Sequence, residues 1–302
     1  MRCSLHSDVA LLNQVNNNIL SHSGKMLRPM VSLLVAKAIG TPNEDSVRCA
    51  AASEMLHNAT LMHDDVADES SERRGMPTLV SLLGPTAAVL VGDYWLSKSV
   101  EQIYDSSCRE KLEKRFASTM SDLAEGEMLQ LEKANSADTD EDDYFRIIFN
   151  KTASLFVASC ESAAISVGAS EDMVAAAVQY GKCLGLAFQI KDDILDYAGT
   201  AELGKPVGID IKEQKITLPL LGALSGSDRE DEIRAMVRDI HKHPENIEVI
   251  SDFVKQNGGI EYASAKLDEH IRMAEEAVAL FPDSPAKDAL VDIARFNAYR
   301  QV

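Results

Sequence analysis

Two short acidic stretches decide the reading of this chain: His63-Asp64-Asp65-Val66-Ala67-Asp68 and Gln189-Ile190-Lys191-Asp192-Asp193-Ile194-Leu195-Asp196. Each contains Asp-Asp-x-x-Asp. Each also closes an apolar run with helical spacing, Met55-Leu56-His57-Asn58-Ala59-Thr60-Leu61-Met62 before the first and Cys183-Leu184-Gly185-Leu186-Ala187-Phe188 before the second. On a helix, residues i and i+4 share a face, so Asp64 points with Asp68 and Asp192 with Asp196. Like charges at that spacing destabilise a bare helix, so something positive should sit beside them. With 25 aspartates in the chain, about 0.2 such motifs would arise by chance, so one copy carries little weight and two carry much.

Working outward, apolar residues recur at helical spacing almost everywhere, as in Met30, Leu33, Leu34 and Ala38, and strictly alternating β-branched runs are nearly absent. Thr41-Pro42, Gly84-Pro85, Gly168-Ala169-Ser170 and Phe281-Pro282-Asp283 read as helix punctuation. The expectation is an all-α protein of ten or more helices. No linker-like stretch marks a boundary in the 302 residues, so 1–302 reads as one domain. The acidic run Asp138-Thr139-Asp140-Glu141-Asp142-Asp143 falls where a helix would begin, and acidic side chains there complement the helix dipole. It reads as an N-terminal cap and not as a metal site.

Composition narrows the function. A net charge of −18 disfavours nucleic acid and anionic bilayer surfaces as partners. The five cysteines (Cys3, Cys49, Cys108, Cys160, Cys183) are scattered and never form Cys-x-x-Cys, which suits a reducing cytoplasm and argues against a thiolate zinc site. No signal-peptide core opens the chain and no uninterrupted apolar stretch approaches membrane-spanning length, so no stable membrane insertion is expected.

Carboxylates without His or Cys partners favour a hard cation, and Mg²⁺ takes one or two protein carboxylates plus phosphate oxygens and water. A diphosphate held between the two clusters would complete such a shell. The cations that an anionic substrate needs are also present, in Gly24-Lys25-Met26-Leu27-Arg28-Pro29, in Arg73-Arg74-Gly75 and in Lys151-Thr152. Arg offers a planar fork of donors and Lys a point charge, and the mixture fits two separate diphosphates.

These residues, with their order and spacing, resemble the trans-isoprenyl (polyprenyl) diphosphate synthases of medium or long chain, the octaprenyl and solanesyl type. The matching segments are Gly24-Lys25-x-x-Arg28-Pro29, His57-x-Ala59-Thr60-Leu61-x-His63-Asp64-Asp65-Val66-x-Asp68, Arg73-Arg74-Gly75-x-Pro77-Thr78 and Gly92-Asp93-Tyr94. Further on come Gly126-Glu127-x-x-Gln130, Lys151-Thr152-Ala153-Ser154-Leu155-Phe156, Phe188-Gln189-x-x-Asp192-Asp193-x-x-Asp196 and Gly204-Lys205-Pro206-x-Gly208-x-Asp210. The resemblance implies an isoprenoid synthase type I fold, a helical bundle around a central cavity, and a homodimer with residues 85 to 104 and 115 to 131 as candidate interface surfaces. It implies that Asp64, Asp68 and Asp192 hold Mg²⁺, about three ions in the complete substrate complex, with Asp65, Asp193 and Asp196 in support. Lys25, Arg28, His57 and Arg74 would bind isopentenyl diphosphate. Arg73, Lys151, Thr152, Gln189, Lys205 and Lys191 would contact the allylic substrate, farnesyl or geranylgeranyl diphosphate.

The implied reaction is dissociative. The allylic carbon–oxygen bond ionises, the isopentenyl double bond attacks the cation, and a proton is lost, with the departing diphosphate as base. Product length should depend on the floor behind the first cluster. Ala59 lies five residues before Asp64, about 7.5 Å back along the helix, and neither it nor Thr60 is bulky. Leu56 and Ser53 lie deeper and leave room, so the expected product is of medium or long chain, about six to ten units. Family members usually begin with another partial helix before the segment matching Ser7-Asp8-Val9, so the chain is expected to be short at its N-terminus. The rivals are a class I terpene cyclase, which pairs one Asp-rich motif with an Asn/Ser/Glu motif, and a non-catalytic subunit of a heteromeric synthase, which should have lost aspartates or cations.

Overall fold

A computed structural model of the chain describes all residues except 23, 74, 199–207 and 300–302. Arg74 and Lys205, two of the substrate-contact expectations, therefore lie outside the described residues. The helices run in the order α1 (Ala10–Ser21), α2 (Leu27–Ile39), α3 (Glu44–Ala67), α4 (Leu79–Leu83), α5 (Pro85–Tyr104), α6 (Arg109–Ser136), α7 (Glu141–Ile148), α8 (Ser154–Ser166), α9 (Glu171–Ala198), α10 (Ile209–Lys212), α11 (Leu218–Leu224), α12 (Glu230–Arg238), α13 (Asn246–Gln256), α14 (Gly259–Val278) and α15 (Pro285–Tyr299). A five-residue π-helical turn, Phe149–Ala153, joins α7 to α8. The sheet is one antiparallel hairpin, β1 (Glu72–Arg73) with β2 (Met76–Pro77), in which Glu72 pairs with Pro77 and Arg73 with Met76. The expectation of an all-α chain with ten or more helices is met.

The described residues form two compact units. In the first (Met1–Ser118, Ala158–Ala175 and Pro282–Ala286), α3 packs on α2 and α5. Helix α3 starts where it does because Asn43 caps it: its side chain accepts from the Ser46 amide at 3.0 Å, and Ser46 Oγ accepts from the Asn43 amide at 3.2 Å. Glu44 and Asp45 follow in the first turn, where their charge suits the dipole. Small side chains, Ala50, Ala51, Ala52 and Ser53, let α3 sink into this unit, and all are buried. Ala51, Met55, Ala59 and Met62 of the helix form a cluster with Leu5, Val15, Val91 and Trp95. Burial of such a cluster removes apolar surface from water at roughly 25 cal/mol per Å². Its one polar group is satisfied, since Trp95 Nε1 donates to Asn16 Oδ1 at 2.8 Å.

The second unit (Thr119–Val157, Ala176–Phe281 and Lys287–Val302) carries α7, the π turn, most of α9 and α10 to α14. The acidic run at 138–143 is the cap expected of it: Asp140 caps α7, accepting from the Asp143 amide at 2.8 Å, and Glu141, Asp142 and Asp143 fill the first turn. Helix α9 is long and apolar enough to cross a membrane by length and composition. Its apolar residues are instead built into the protein: Tyr180, Leu184, Leu186, Ala187 and Ile190 are buried, and Tyr180 donates to the Leu290 carbonyl at 2.8 Å. Gly185 lets α9 approach the π turn, because a Cβ there would stand 2.5 Å from Ala153 Cα.

Candidate active site

The acidic end of α3 and the acidic end of α9 are built on one plan. Successive helical residues point about 100° apart, so two adjacent aspartates cannot face the same way. In the first motif Asp64 is half-buried and Asp68 exposed, while Asp65 turns inward and is only 6% exposed. The inward carboxylate is met by Arg73, whose Nε donates to Asp65 Oδ1 at 2.7 Å. Gly75, with φ +75°, makes the hairpin turn that carries Arg73 back to α3. Arg73, one of the three arginines expected to bind diphosphate, is therefore already paired with the motif itself.

In the second motif Asp192 and Asp196 are half-buried, and Asp193 is 4% exposed. Both oxygens of Asp193 are engaged: Tyr144 Oη donates to Oδ2 at 2.6 Å and Gln189 Nε2 to Oδ1 at 2.9 Å. Burial pushes Asp193 up to about 6, against the pull of these two donors. Asp196 accepts from the amides of Ile209 at 3.0 Å and Asp210 at 3.1 Å, so it fastens the chain that follows α9. Asp210 is held well above the usual carboxylate range by burial and by the charges of Asp193 and Asp196. Asp64 and Asp192 are thus half-buried and Asp68 exposed at the two helix ends; Asp65 accepts from Arg73, Asp193 from Tyr144 and Gln189, and Asp196 from two backbone amides.

The cationic residues divide in the same way. Lys25 and Arg28 stand at the start of α2, the first exposed and the second half-buried. His57 is half-buried on α3, two turns before Asp64 and about 20° from its direction at 3.6 residues per turn. In the second unit Lys151 sits on the π turn, where its Nζ is ion-paired with Glu127 and donates to Gln130 Oε1 at 2.9 Å. Irregular turns of this kind are frequent at functional sites because they re-aim a side chain. Thr152 is buried and donates to Gln189 Oε1 at 2.9 Å, and Lys191 is half-buried one turn before the end of the motif. Beside them lies a small cavity of about 130 Å³, lined by Tyr144, Lys151, Gln189, Asp193, Asp210 and Lys215 among others.

Leu56 lies one turn from both Ala59 and Thr60, which themselves point about 100° apart. Thr60 lies about 40° from the direction of Asp64, in line with His57 and Ser53, and its Oγ1 donates to the His57 carbonyl at 2.9 Å. Ala59 points about 140° away and is 1% exposed, inside the cluster with Trp95 and Met55. Leu56 is also buried.

Several residues gained a role only in the structure. Glu127 and Gln130 form the cradle of Lys151, and Gly126 brings α6 against the π turn, since a Cβ there would stand 2.7 Å from Asn150 Cβ. Gly92 leaves room for His63, whose Nε2 lies 3.3 Å from Asp93 Oδ1. The i, i+3 spacing of Glu127 and Gln130 was visible in the sequence as a motif, but its partner was not. Tyr144 carried no signal beyond standing seven residues, two helical turns, before Lys151.

Oxygen donors alone make up both acidic ends, which fits a hard cation such as Mg²⁺. Among the described residues no three potential ligands gather closely enough to hold an ion unaided.

A helical chain with two such acidic ends is an isoprenoid synthase of the type I fold. The polyprenyl synthetase family model matches residues 9–256. The octaprenyl diphosphate synthase of Escherichia coli is 37% identical over 300 residues, covering 98% of this chain and 92% of that protein. A short chain isoprenyl diphosphate synthase of Methanothermobacter thermautotrophicus is 36% identical over 296 residues, with 96% and 90% covered. The crystal structure of a decaprenyl diphosphate synthase from Rhodobacter capsulatus superposes with a TM-score of 0.92 at 36% identity, covering 100% of this chain and 94% of that one. The chain belongs to the polyprenyl synthetase family. Its activity is that of a trans-polyprenyl diphosphate synthase, a prenyltransferase, and the family is generally Mg²⁺-dependent.

Proposed function

We propose that this enzyme extends farnesyl or geranylgeranyl diphosphate with isopentenyl diphosphate to an all-trans product of about six to ten units. Relatives named for short and for long products are almost equally similar to it, so length has to be argued from the floor. One observation carries the argument. The face of α3 that runs back from Asp64 and Asp68 bears His57, Thr60 and Ser53, so no Phe, Tyr or Trp stands behind the aspartates and the imidazole of His57 is the one ring on that face.

Asp64, Asp68 and Asp192 would hold Mg²⁺, about three ions in the full complex. When bound, the metal supplies positive charge against the leaving diphosphate. Lys151, with Arg73 and Lys205, would donate to the allylic diphosphate and stabilise it as the C1–O bond breaks. Lys25, Arg28, His57 and Arg74 would hold isopentenyl diphosphate by its own diphosphate end. The C3–C4 double bond of isopentenyl diphosphate attacks the allylic C1, forming one carbon–carbon bond. A C2 proton then leaves to the released diphosphate, restoring a neutral double bond one unit further on. Buried apolar side chains around the helices would keep water from trapping the cation as an alcohol.

A homodimer is part of the proposal: Leu90, Val100 and Tyr104 of α5 and Met128 and Leu131 of α6 are exposed apolar side chains, the kind an oligomer covers. The proposed compartment is the cytoplasm. Labelled isopentenyl diphosphate and farnesyl diphosphate, incubated with the enzyme and Mg²⁺ or EDTA, test the function. A metal-dependent ladder ending in one dominant long chain supports it. A product stopping at about four units keeps the class and removes the floor argument. Turnover without isopentenyl incorporation favours a cyclase, and inertness of the folded protein favours a non-catalytic subunit.

A further inference from the structure

The second acidic motif and the diphosphate-facing lysine lie on different elements, and something must hold them in register. Lys151 and Thr152 ride on the π turn that continues α7. Asp192 and Gln189 ride on the end of α9. Hydrogen bonds from Tyr144 and from Thr152 join the two. Tyr144 Oη, on α7, donates at 2.6 Å to Asp193 Oδ2, beside Asp192. The link continues: Gln189 Nε2 donates to Asp193 Oδ1, and Thr152 Oγ1 donates to Gln189 Oε1. The path leaves α7 at Tyr144, crosses to α9 and returns to the π turn at Thr152, a closed hydrogen-bonded loop.

We propose that Tyr144 is a positioning residue for prenyl transfer, which acts through Asp193 to hold the end of α9 against the π turn. Tyr144 is only 3% exposed. Its helix is itself anchored at the other end: Lys133 pairs with Asp143 at 2.6 Å, and Tyr262 and Lys266 both bind Glu141. A buried carboxylate keeps its place only while its donors keep theirs. The Tyr144 ring meets Phe145 edge-on at 5.3 Å, a contact that phenylalanine would keep. Tyr144→Phe therefore removes the hydroxyl and little else.

The proposal rests on the reading of Asp192, Lys151 and Thr152 as the allylic diphosphate site, so binding is measured separately from turnover. Farnesyl diphosphate with Mg²⁺, in the absence of isopentenyl diphosphate, is titrated calorimetrically into wild type, Tyr144→Phe, Asp193→Asn and the double variant. Tyr144→Phe should weaken binding about tenfold. It should leave the KM for isopentenyl diphosphate within about twofold, and the double variant should bind no worse than Asp193→Asn alone. Unchanged affinity in Tyr144→Phe with only a lower melting temperature overturns the proposal, as do effects of the two substitutions that simply multiply. A wild type that binds but does not elongate removes the functional reading and leaves this one standing. A wild type that does not bind removes both.

Discussion

A phenylalanine at position 60 should shorten the product without unsettling the fold. Thr60 stands four residues before Asp64, about 6 Å along the helix axis, on the face that His57, Asp64 and Asp68 share. It is half-buried, so a ring there has space on one side. The hydroxyl it replaces bonds only to the helix's own carbonyl at His57, worth about 1 kcal/mol at most. The floor would rise to little more than one isoprene length from the aspartates, and the dominant product should fall to about four units or fewer. Ala59→Phe makes the contrast. Its methyl is packed among Met55, Met62, Val91 and Trp95, so a ring must overpack that cluster at about 1–3 kcal/mol, roughly 2–10 °C in Tm. It can shorten the product only at that cost in stability. Chromatography of the dephosphorylated products, run beside thermal melts of both variants, reads the two effects. A Thr60→Phe enzyme that still makes the wild-type length would refute the assignment of this face to the growing chain.

Two further outcomes follow from close packing and burial. Gly126→Ala puts a Cβ 2.7 Å from Asn150 Cβ and 3.0 Å from the Lys151 backbone nitrogen. It should displace the π turn and lower kcat/KM for the allylic substrate by about 10- to 100-fold, on the scale of a misplaced positioning group, while circular dichroism keeps its helical signal. Thiol chemistry offers an independent check on the packing. Burial pushes the Cys49 thiol up to about 12 and Cys183 up to about 11, and raises Cys160 as well. The reactive species is the thiolate, so a thiol reagent near pH 8 should modify the exposed Cys3 and the part-exposed Cys108 in the folded enzyme. All five should react in denaturant, and rapid labelling of Cys49 or Cys160 in the native state would show that the packing is wrong.

The sequence displayed what is local. Both acidic motifs, the cap at Asp140 and the helical periodicity of the whole chain depend on residues within a few turns of one another, and all could be read. Position 59 stood out because it is small and near Asp64, but smallness marks packed helix contacts as well as open floors, so product control is left to the comparison of Thr60→Phe with Ala59→Phe. The cradle of Lys151 was not legible, because Glu127 and Gln130 lie on another helix, 24 and 21 residues away in the chain. The bond from Tyr144 to Asp193 spans 49 residues. No spacing rule reaches that far.

The doubled aspartate in each motif has a physical reason that ties these observations together. Neighbours on a helix point about 100° apart, so a side chain next to a substrate-facing aspartate is turned toward the protein interior. An apolar residue there would pack well but fix nothing. A carboxylate there must be given donors, and each donor comes from an element that the motif then holds in place. Asp65 takes Arg73 from the hairpin, and Asp193 takes Tyr144 from α7 together with Gln189 from its own helix. The inward aspartate thus fastens its helix end to the element that carries the neighbouring cationic side chains. The choice of donor sets the character of each fastening. A guanidinium pairs with Asp65 directly, whereas Asp193 takes its hydrogen bonds from a phenol and an amide, with Lys215 acting on it only through its charge, and burial pushes it up to about 6. The second motif is therefore the one whose geometry depends on neutral hydrogen bonds, and its inward carboxylate is the one most exposed to the loss of a single hydroxyl.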